Sequence, residues 1–340
     1  MIVTVTPNPA LDLTWHVEEI VPGGVHRADA GTARAGGKGL NVARVAHDQG
    51  AQAVAIATVG GATGEEFAAE LRASGVPHVL VPVAAPTRRS IALVDESLGD
   101  TTIVNERGVA PTAAEWRALR DAVARALGSS AASAAPADSG SDAPDSDDVL
   151  VISGSLPPGT PDDILPALIS LGRRAGAAVI VDTSGPSLLA AADAGASVLK
   201  PNAAELAEAT GLDDPLAGAR ELLRRGAELV LLSRGADGML AITGATDPAA
   251  PPATSDSEPA LSVLTARLPA PLAGNPTGAG DAAVAACAVL RDAGIRDTET
   301  VLRRATAWSA AAVLMPLAGD IHPTWIELED SVTVQKEDLR

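Results

Sequence analysis

The sequence predicts an α/β fold built on a mostly parallel central sheet, and three observations predict it. Strand and helix patterns alternate from residue 53 onward, and such alternation gives parallel strands joined by right-handed crossovers. Residues 149–152 form a fully apolar run, as expected of a strand covered by helices on both faces. Polar clusters follow the predicted strands repeatedly, and ligands of such sheets bind beyond the carboxyl ends of the strands. We therefore expect these clusters to gather on one edge of the sheet.

The composition of the chain limits the class of protein. Its 340 residues suffice for one large domain, and the chain is 46% hydrophobic but only 1% aromatic, so small aliphatic side chains must fill the core. A net charge of −18 argues against a nucleic-acid surface, which needs a basic face. The single cysteine, Cys287, suits a reducing cytoplasm and excludes a disulfide framework. Because the first residues lack a basic leader and no apolar run has membrane length, we expect a cytoplasmic protein without a membrane partner.

The N-terminal part of the chain predicts two strands and a helix. Residues 2–6 alternate branched apolar residues with threonine, which is typical of a strand. Residues 11–17 alternate with period two and place Asp12 on the polar face of a half-exposed strand. A turn then leads to a short extended piece at 25–27. After a glycine-rich turn, the apolar spacing of residues 40–46 indicates a helix.

The next part predicts a strand, a helix and a strand, followed by a hairpin and a helix. The ranges are 53–59, 65–74, 79–83, the hairpin of 91–94 with 101–104, and 112–127. Arg88 and Arg89 precede the hairpin and would be able to bind an anion there, although exposed arginines are more often solvated.

Residues 128–148 are a low-complexity run of Ala, Ser, Asp, Pro and Gly, which we interpret as a disordered insertion and not a domain boundary. The alternation then resumes in step. Strands are predicted at 149–152, 178–182, 198–202, 229–232 and 239–243, and helices at 161–175, from 204, and at 216–226, 281–293 and 298–315. A second biased loop covers about 244–260, and the tail after residue 330 is expected to fray.

A glycine-rich turn, Gly278-Ala279-Gly280-Asp281, leads directly into an apolar segment of helical length. The free backbone N–H groups of a helix start attract anions. A carboxylate among such donors makes sense if Asp281 takes a proton from a hydroxyl while the N–H groups stabilise the developing charge. Taken alone, the stretch is explained equally well as a turn with an aspartate N-cap.

A second glycine-rich stretch, from Gly36 to Gly39, surrounds Lys38 and precedes Asn41. It is either a flexible turn or a second backbone cradle in which Asn41 contacts a sugar hydroxyl or a phosphate. Its spacing matches neither a Walker P-loop nor a dinucleotide fingerprint. Only three of the 25 basic residues are lysines, Lys38, Lys200 and Lys336, which indicates that a compact ammonium group is needed at the first two.

Together these segments resemble the PfkB (ribokinase-like) carbohydrate kinases, in the branch that contains 1-phosphofructokinase, tagatose-6-phosphate kinase and the minor 6-phosphofructokinase. The resemblance extends from residue 2 to about 320. The segments that carry it are Thr6-Pro7-Asn8-Pro9-Ala10-Leu11-Asp12, Gly36-Gly37-Lys38-Gly39-Leu40-Asn41-Val42-Ala43-Arg44, Ser153-Gly154-Ser155-Leu156-Pro157-Pro158-Gly159, Asp182-Thr183-Ser184-Gly185, Lys200-Pro201-Asn202 with Glu205, and Gly278-Ala279-Gly280-Asp281.

The resemblance implies a three-layer α/β/α fold, with a single kinase domain at 1–320, a C-terminal tail at 321–340, and a small β-sheet lid from about 10–30 and 86–106. It implies that ATP and Mg²⁺ are used and that the acceptor is a sugar phosphate. On this interpretation Asp281 is the base, and Gly278, Ala279 and Gly280 form the anion hole. The acceptor-binding residues would be Asp12, Gly37, Lys38, Asn41, Arg88 and Ser153. The residues facing the nucleotide would be Lys200, Asn202, Ser233, Gly235 and Gly238, with Glu205 acting indirectly on the metal.

The sequence departs from the family pattern at four motif positions and in its two low-complexity segments, and these departures leave the identity of the acceptor open. Pro276-Thr277 replace the branch's usual Thr-Val, Asn275 stands where the wider group often has a cation-associated aspartate, Arg234 interrupts a usual Ser-Leu-Gly, and Val25 replaces one relative's substrate-binding lysine. We expect a fructose-1-phosphate kinase. The alternatives are a tagatose-6-phosphate or fructose-6-phosphate kinase, and a sugar-phosphate-binding regulator without catalysis. The resemblance also makes a homodimer through the lid, with Trp15 at its interface, an arrangement to test.

Overall fold

The computed structural model describes residues 1–133, 148–244 and 260–337, and a ten-stranded sheet dominates them. Its strand order is β14-β13-β12-β11-β10-β9-β8-β1-β4-β5. The strands of this sheet are β1 Ile2–Thr6, β4 Ala53–Val59, β5 His78–Pro82, β8 Val149–Ser153, β9 Ala178–Asp182, β10 Val198–Leu199, β11 Leu229–Ser233, β12 Met239–Gly244, β13 Leu261–Arg267 and β14 Thr333–Lys336. All pairings from β5 to β11 are parallel, and β12, β13 and β14 add an antiparallel edge.

Helices cover both faces of this sheet. They are α1 Lys38–Asp48, α2 Gly61–Ser74, α3 Ala113–Ser133, α4 Ile164–Arg174, α5 Pro186–Asp193, α6 Ala203–Thr210, α7 Pro215–Arg225, α8 Ala279–Asp292, α9 Thr298–Val313 and α10 Trp325–Ser331. One core packs α3 to α7 against the sheet around side chains such as Trp116, and the other packs α1, α8 and α9 around Trp308. The expected three-layer α/β/α arrangement is confirmed.

The central helix of the second core is α8, and it is built almost entirely from small residues. Every residue from 282 to 288 is fully buried, Cys287 among them. Alanine has the highest helix propensity, and its small side chain lets neighbouring helices approach closely. The α8 helix is therefore packed on all sides, which fixes the position of its N-terminus at Ala279.

A second, four-stranded sheet forms the lid, in the order β3-β2-β6-β7. Its strands are β2 Ala10–Val17, β3 Thr32–Gly36, β6 Arg88–Asp95 and β7 Asp100–Asn105. Leu11 and Ala35 bury the base of the lid against α1 and α2. The outermost strand, β7, is mostly exposed.

The structure also corrects several predicted elements. The extended piece expected at 25–27 is absent, and the strand after the lid turn is β3, which begins at Thr32. The helices α5 and α10 and the strand β13 were not anticipated. The tail does not fray after residue 330, because β14 pairs antiparallel with β13. Strand β3 lies at an edge of the lid sheet, and β13 and β14 lie at an edge of the main sheet, where local hydrophobic periodicity is weak. The short helix α5 packs instead against β9 and β10 in the middle of the main sheet.

The two low-complexity segments lie largely outside the described residues. The predicted insertion at 128–148 begins within α3, which continues to Ser133, so its first residues are helical. Residues 134–147, and residues 245–259 of the second biased loop, are not described. Within the described ranges, no helix combines the length and apolar character that crossing a bilayer requires.

Candidate active site

A cavity of about 810 Å³ opens between the lid and the carboxyl ends of the main strands. Asp12 lines it from the lid and Asp281 from the start of α8. Every residue that the sequence predicted at the site lines this cavity, with the exceptions of Ser153 and of Arg89, which was considered as an anion-binding residue. The cavity thus brings together the two glycine-rich stretches, which lie more than 230 positions apart in the chain.

The glycine turn forms the start of α8. Gly278 has a φ of 87°, a left-handed conformation that side-chain-bearing residues rarely adopt, and the helix begins at the next residue. The Asp281 side chain does not cap this helix, so the simple N-cap interpretation does not hold. Asp281 is instead 5% exposed, and its Oδ2 accepts a hydrogen bond of 2.8 Å from Nδ2 of Asn41 on α1.

Asp182, at the end of β9, connects the two lysines of the site. This carboxylate is fully buried. Its Oδ2 is 3.2 Å from Nζ of Lys38, and its Oδ1 is 3.5 Å from Nζ of Lys200. Each oxygen therefore pairs with a different ammonium group. Lys200 continues toward the glycine turn, since a Cβ on Gly280 would lie 3.2 Å from its Nζ.

Burial and the neighbouring charges shift the pKa values of Asp281, Lys38 and Asp182, and the shifts differ in direction. Burial, together with the charge of Asp182, raises the pKa of Asp281 to about 7, although Lys38 and the Asn41 hydrogen bond act the other way. Burial opposes the charged form of Lys38, but the surrounding carboxylates, Asp182 foremost, raise its pKa above the ordinary value. Burial also opposes ionisation of Asp182, yet the two lysines lower its pKa. A carboxylate poised near neutrality suits a general base.

On the lid side, Asp12 lies against a glycine that leaves room for it. A Cβ on Gly36 would stand only 1.9 Å from Asp12 Oδ2, so only glycine fits there. Burial raises the pKa of Asp12 to about 6, and the charges of Arg88 and Arg34 partly offset this. Gly37 has a φ of 117°, and a Cβ on it would meet Thr6 at 2.6 Å. Gly36 and Gly37 are thus both required by the geometry.

Arg88 begins strand β6 and is held by backbone carbonyls. Its Nε and Nη2 each donate to the Asn8 carbonyl at 3.2 Å, and its Nη1 donates to the Glu106 carbonyl at 3.1 Å. The guanidinium lines the cavity in this fixed position. Among the residues that the structure describes, no carboxylate lies at ion-pair distance from this guanidinium, so its charge is available to an anionic group.

The residues expected near the nucleotide follow β10 and β11. Asn202 and Glu205 form a capping box at the start of α6: Glu205 N donates to Asn202 Oδ1 at 2.8 Å, and Asn202 N donates to Glu205 Oε2 at 2.9 Å. Ser233 and Gly235 lie at the end of β11. Gly238 packs so closely that a Cβ would reach the Ala266 carbonyl at 2.0 Å. The capping box gives Asn202 and Glu205 a structural task beside any role toward a ligand.

The described residues contain no group of three or more His, Cys, Asp or Glu side chains suited to holding a metal ion. Mg²⁺ is commonly bound by one or two carboxylates together with substrate phosphates and water. Glu205 fits that pattern, because its Oε1 takes no part in the cap and lies 3.8 Å from Lys38 Nζ on the cavity wall.

Two corrections to the predicted site concern the same carboxylate. Ser153, expected to contact the acceptor, is fully buried, and its Oγ donates to Asp182 Oδ2 at 3.2 Å. It therefore acts behind the cavity wall. Asp182 was not among the predicted site residues, although its position at the end of an apolar strand was a visible signal. Gly36 was likewise missed, because only its contact with Asp12 shows why it matters.

The family model described as "pfkB family carbohydrate kinase" matches residues 8–325. The chain is 35% identical to the 1-phosphofructokinase of Xanthomonas campestris pv. campestris over 90% of this chain and 89% of that protein. It is 38% identical to the ATP-dependent 6-phosphofructokinase isozyme 2 of Mycobacterium tuberculosis over 71% of this chain and 68% of that protein.

Among solved structures, the chain resembles the phosphofructokinase-2 of Escherichia coli in complex with fructose-6-phosphate. The TM-score is 0.78 at 30% identity, covering 97% of this chain and 98% of that chain. The residues matched by the family model include both sides of the cavity, from Asp12 on the lid to the glycine turn. The chain belongs to the pfkB family of carbohydrate kinases.

Proposed function

We propose that this protein transfers the γ-phosphoryl group of ATP to a hydroxyl of a ketohexose phosphate, converting fructose 1-phosphate to fructose 1,6-bisphosphate. The observation that carries the proposal is the buried Asp281 carboxylate, which faces the same cavity as Asp12 from the start of a glycine-rich helix turn. The 1-phosphofructokinase relative that matches about nine-tenths of both chains supports the choice of acceptor.

In the proposed reaction Asp281 accepts the proton of the attacking hydroxyl. The amides of Gly278, Ala279 and Gly280 face the charge that develops on the phosphoryl oxygens. Lys200 lies beneath this turn, and Lys38 is close to it, so both ammonium groups add positive charge. Phosphoryl transfer depends mainly on such positioning and charge neutralisation. A Mg²⁺ ion held indirectly by Glu205 would neutralise further charge on the nucleotide phosphates.

The acceptor would bind between the lid and α1. Asp12 and Asn41 offer a carboxylate and an amide to sugar hydroxyls, with Gly37 allowing close approach. Arg88, whose charge has no carboxylate partner at ion-pair distance among the described residues, is suited to the acceptor's own phosphate. The nucleotide would extend toward Asn202, Ser233, Gly235 and Gly238 at the other end of the cavity.

A coupled assay tests the acceptor. The purified protein is given ATP, Mg²⁺ and, in turn, fructose 1-phosphate, fructose 6-phosphate, tagatose 6-phosphate and free sugars. We expect kcat/KM for fructose 1-phosphate to exceed the others by at least about tenfold. A higher kcat/KM for fructose 6-phosphate or tagatose 6-phosphate would show that this sugar phosphate is the acceptor, and the proposed phosphoryl transfer from ATP would still stand. Sugar-phosphate binding without turnover on any acceptor would favour the regulator.

A specific observation favours the fructose-6-phosphate alternative: the 38% identical relative is named a 6-phosphofructokinase, and the E. coli structure contains fructose-6-phosphate.

We further propose a cytoplasmic protein that forms a homodimer through the lid. Trp15 is half-buried against Gly31 within its own chain, and strand β7 leaves Ile103 and Val104 exposed on the lid. A monomer in sedimentation would refute the dimer.

A further inference from the structure

The loop between α9 and α10, residues 314–324, lies against the glycine turn. Nδ2 of Asn275 donates to the Pro316 carbonyl at 3.0 Å. The Cα and Cβ of Ala318 are each 2.8 Å from the point where a Cβ on Gly278 would stand. The backbone of this loop is therefore packed directly on the first residue of the proposed anion hole.

The same loop also touches the residue that binds the proposed base. Gly319 has a φ of 87°, and a Cβ on it would lie 3.1 Å from Oδ1 of Asn41. The amide of Asn41 is hydrogen-bonded through its other atom, Nδ2, to Asp281. A displacement of the α9–α10 loop would thus reach both the turn and the base.

On its other side the loop is bound by one arginine of the lid. Arg34 lies on β3, and its Nη1 and Nη2 donate to the two carboxylate oxygens of Asp320 at 2.9 and 3.0 Å. Nη1 also donates to the Ala318 carbonyl at 2.8 Å. In the lid sheet, Arg34 is the direct cross-strand partner of Asp12. One side chain therefore connects the strand beside the acceptor carboxylate to the residue that packs on Gly278.

The geometry of this pair favours a positioning role over a stabilising one. The side chains of Arg34 and Asp320 are 19% and 29% exposed, and solvent-accessible ion pairs contribute little to stability. A two-point arginine–carboxylate contact does, however, fix relative orientation. Asp12, Asp48 and Arg44 also interact electrostatically with Arg34, but the carboxylate that is hydrogen-bonded to its guanidinium is that of Asp320.

We propose that Arg34 and Asp320 are a positioning pair that sets the glycine turn relative to the lid, so that the anion hole and Asp281 are aligned with the acceptor bound near Asp12. The functional part of this proposal rests on the proposed kinase activity. The structural part, that the pair restrains the turn, does not.

The test uses Arg34→Ala, the nearly isosteric Asp320→Asn, and the double variant. Misalignment of reacting groups by about 1 Å can cost up to about 10²-fold in rate, and we expect each single variant to lower kcat about tenfold with KM for ATP unchanged. Because Arg34→Ala already removes the contact with Asp320, together with the hydrogen bond to the Ala318 carbonyl, the double variant should be within about twofold of Arg34→Ala. Hydrogen exchange of the peptide covering residues 275–283 should be faster in all three variants than in the parent.

The matched control is Arg225→Ala, which removes a two-bond contact with Asp193 and a hydrogen bond to Glu221 in the outer helix layer. It should leave kcat and exchange at 275–283 unchanged. If Arg34→Ala and Asp320→Asn lower only the melting temperature, or if their effects on kcat multiply in the double variant, the proposal is overturned. If the parent phosphorylates no acceptor, the proposed function fails, and the exchange measurement still decides whether the pair restrains the turn.

Discussion

The two walls of the cavity are built in different ways. At the edge of the main sheet, Asp182, Lys200 and Asp281 are at most 5% exposed and stand on strands and a helix packed on all sides. On the lid, Asp12 and Arg88 are half-buried on a sheet with an exposed outer strand, and a glycine and three hydrogen bonds to carbonyls place them. At the edge of the main sheet, burial determines the electrostatics of the charged groups. On the lid, close contacts with a glycine and with backbone carbonyls determine where the side chains lie. Substitutions of the buried residues in the first wall should change rate and stability, and substitutions at Asp12, or at the glycine beside it, should change acceptor affinity.

The largest effect should follow from Asp281→Asn, which removes the proposed base from the buried wall while keeping its shape. We expect kcat to fall at least about 10²-fold, as is usual when a general base is lost, with nucleotide affinity similar to that of the parent. Steady-state kinetics and calorimetric nucleotide titration measure the two quantities.

Asp213→Asn, which changes an exposed carboxylate before α7, is the control and should be fully active. An Asp281→Asn variant that keeps more than about a tenth of the parent kcat would show that Asp281 is not the base.

Asp182→Asn should give the largest loss of stability. It removes the carboxylate from two lysines, of which Lys200 is only 3% exposed. Removing one partner of a buried ion pair costs about 3–5 kcal/mol, so the free energy of unfolding in denaturant should fall by about that amount. Asp193→Asn, whose carboxylate is exposed, should change it by less than about 1 kcal/mol. If Asp182→Asn lowers the free energy of unfolding by less than about 1 kcal/mol, burial does not distinguish this wall from the lid.

The dependence of kcat/KM and of stability on pH tests the buried wall further. The charges of Lys38, Lys200 and Asp182 face Asp281 there and influence its pKa. The pKa of Asp281 is raised from 3.8 to about 7, so kcat/KM should fall roughly tenfold per pH unit below about 7. For stability the sign is opposite. The folded chain keeps the proton longer than the unfolded chain does, so stability is lost as pH rises from about 4 to about 7. Asp281→Asn should remove the part of that loss that Asp281 causes and leave the part caused by Asp12, whose pKa is also raised. A flat kcat/KM profile in the parent between pH 5.5 and 8 would contradict the assignment.

The smallest effect should come from the lid. A Cβ at residue 36 would overlap the Asp12 carboxylate, so Gly36→Ala must displace it. We expect the acceptor KM to rise about fivefold, the cost of weakening one polar contact, with kcat and the ATP KM nearly unchanged. Gly128→Ala, where a Cβ meets nothing within 4 Å, is the control. A fall in kcat equal to the rise in KM would show that the fit between Gly36 and Asp12 acts on catalysis and not only on acceptor binding.

The sequence predicted the large sheet and the ligand edge because apolar strands followed by polar residues are local signals. Residues 149–152, 178–182 and 229–232 were read correctly for this reason. It also placed Asp281, Lys38 and Lys200 at one site, and the scarcity of lysine helped. The third lysine, Lys336, lies on β14 and away from the cavity, so scarcity alone was not a reliable guide.

What the sequence did not show depends on contacts between distant segments. The role of Asp182 follows from two lysines that lie 144 positions before it and 18 after it. The burial of Ser153 behind it, the fit of Gly36 to Asp12 and the pairing of Arg34 with Asp320 are likewise products of packing. No local pattern of hydropathy or turn chemistry encodes them.

The alanine-rich α8 helix has a consequence for attempts to redesign this protein. Residues 282–288 have no accessible surface, so a larger side chain there, as in Ala285→Leu, has no room. It would displace the α8 helix, and Asp281 would move with the helix. In directed evolution toward new sugars, the accepted substitutions should therefore accumulate in the partly exposed lid strands β2 and β6, while the sequence of α8 stays nearly unchanged.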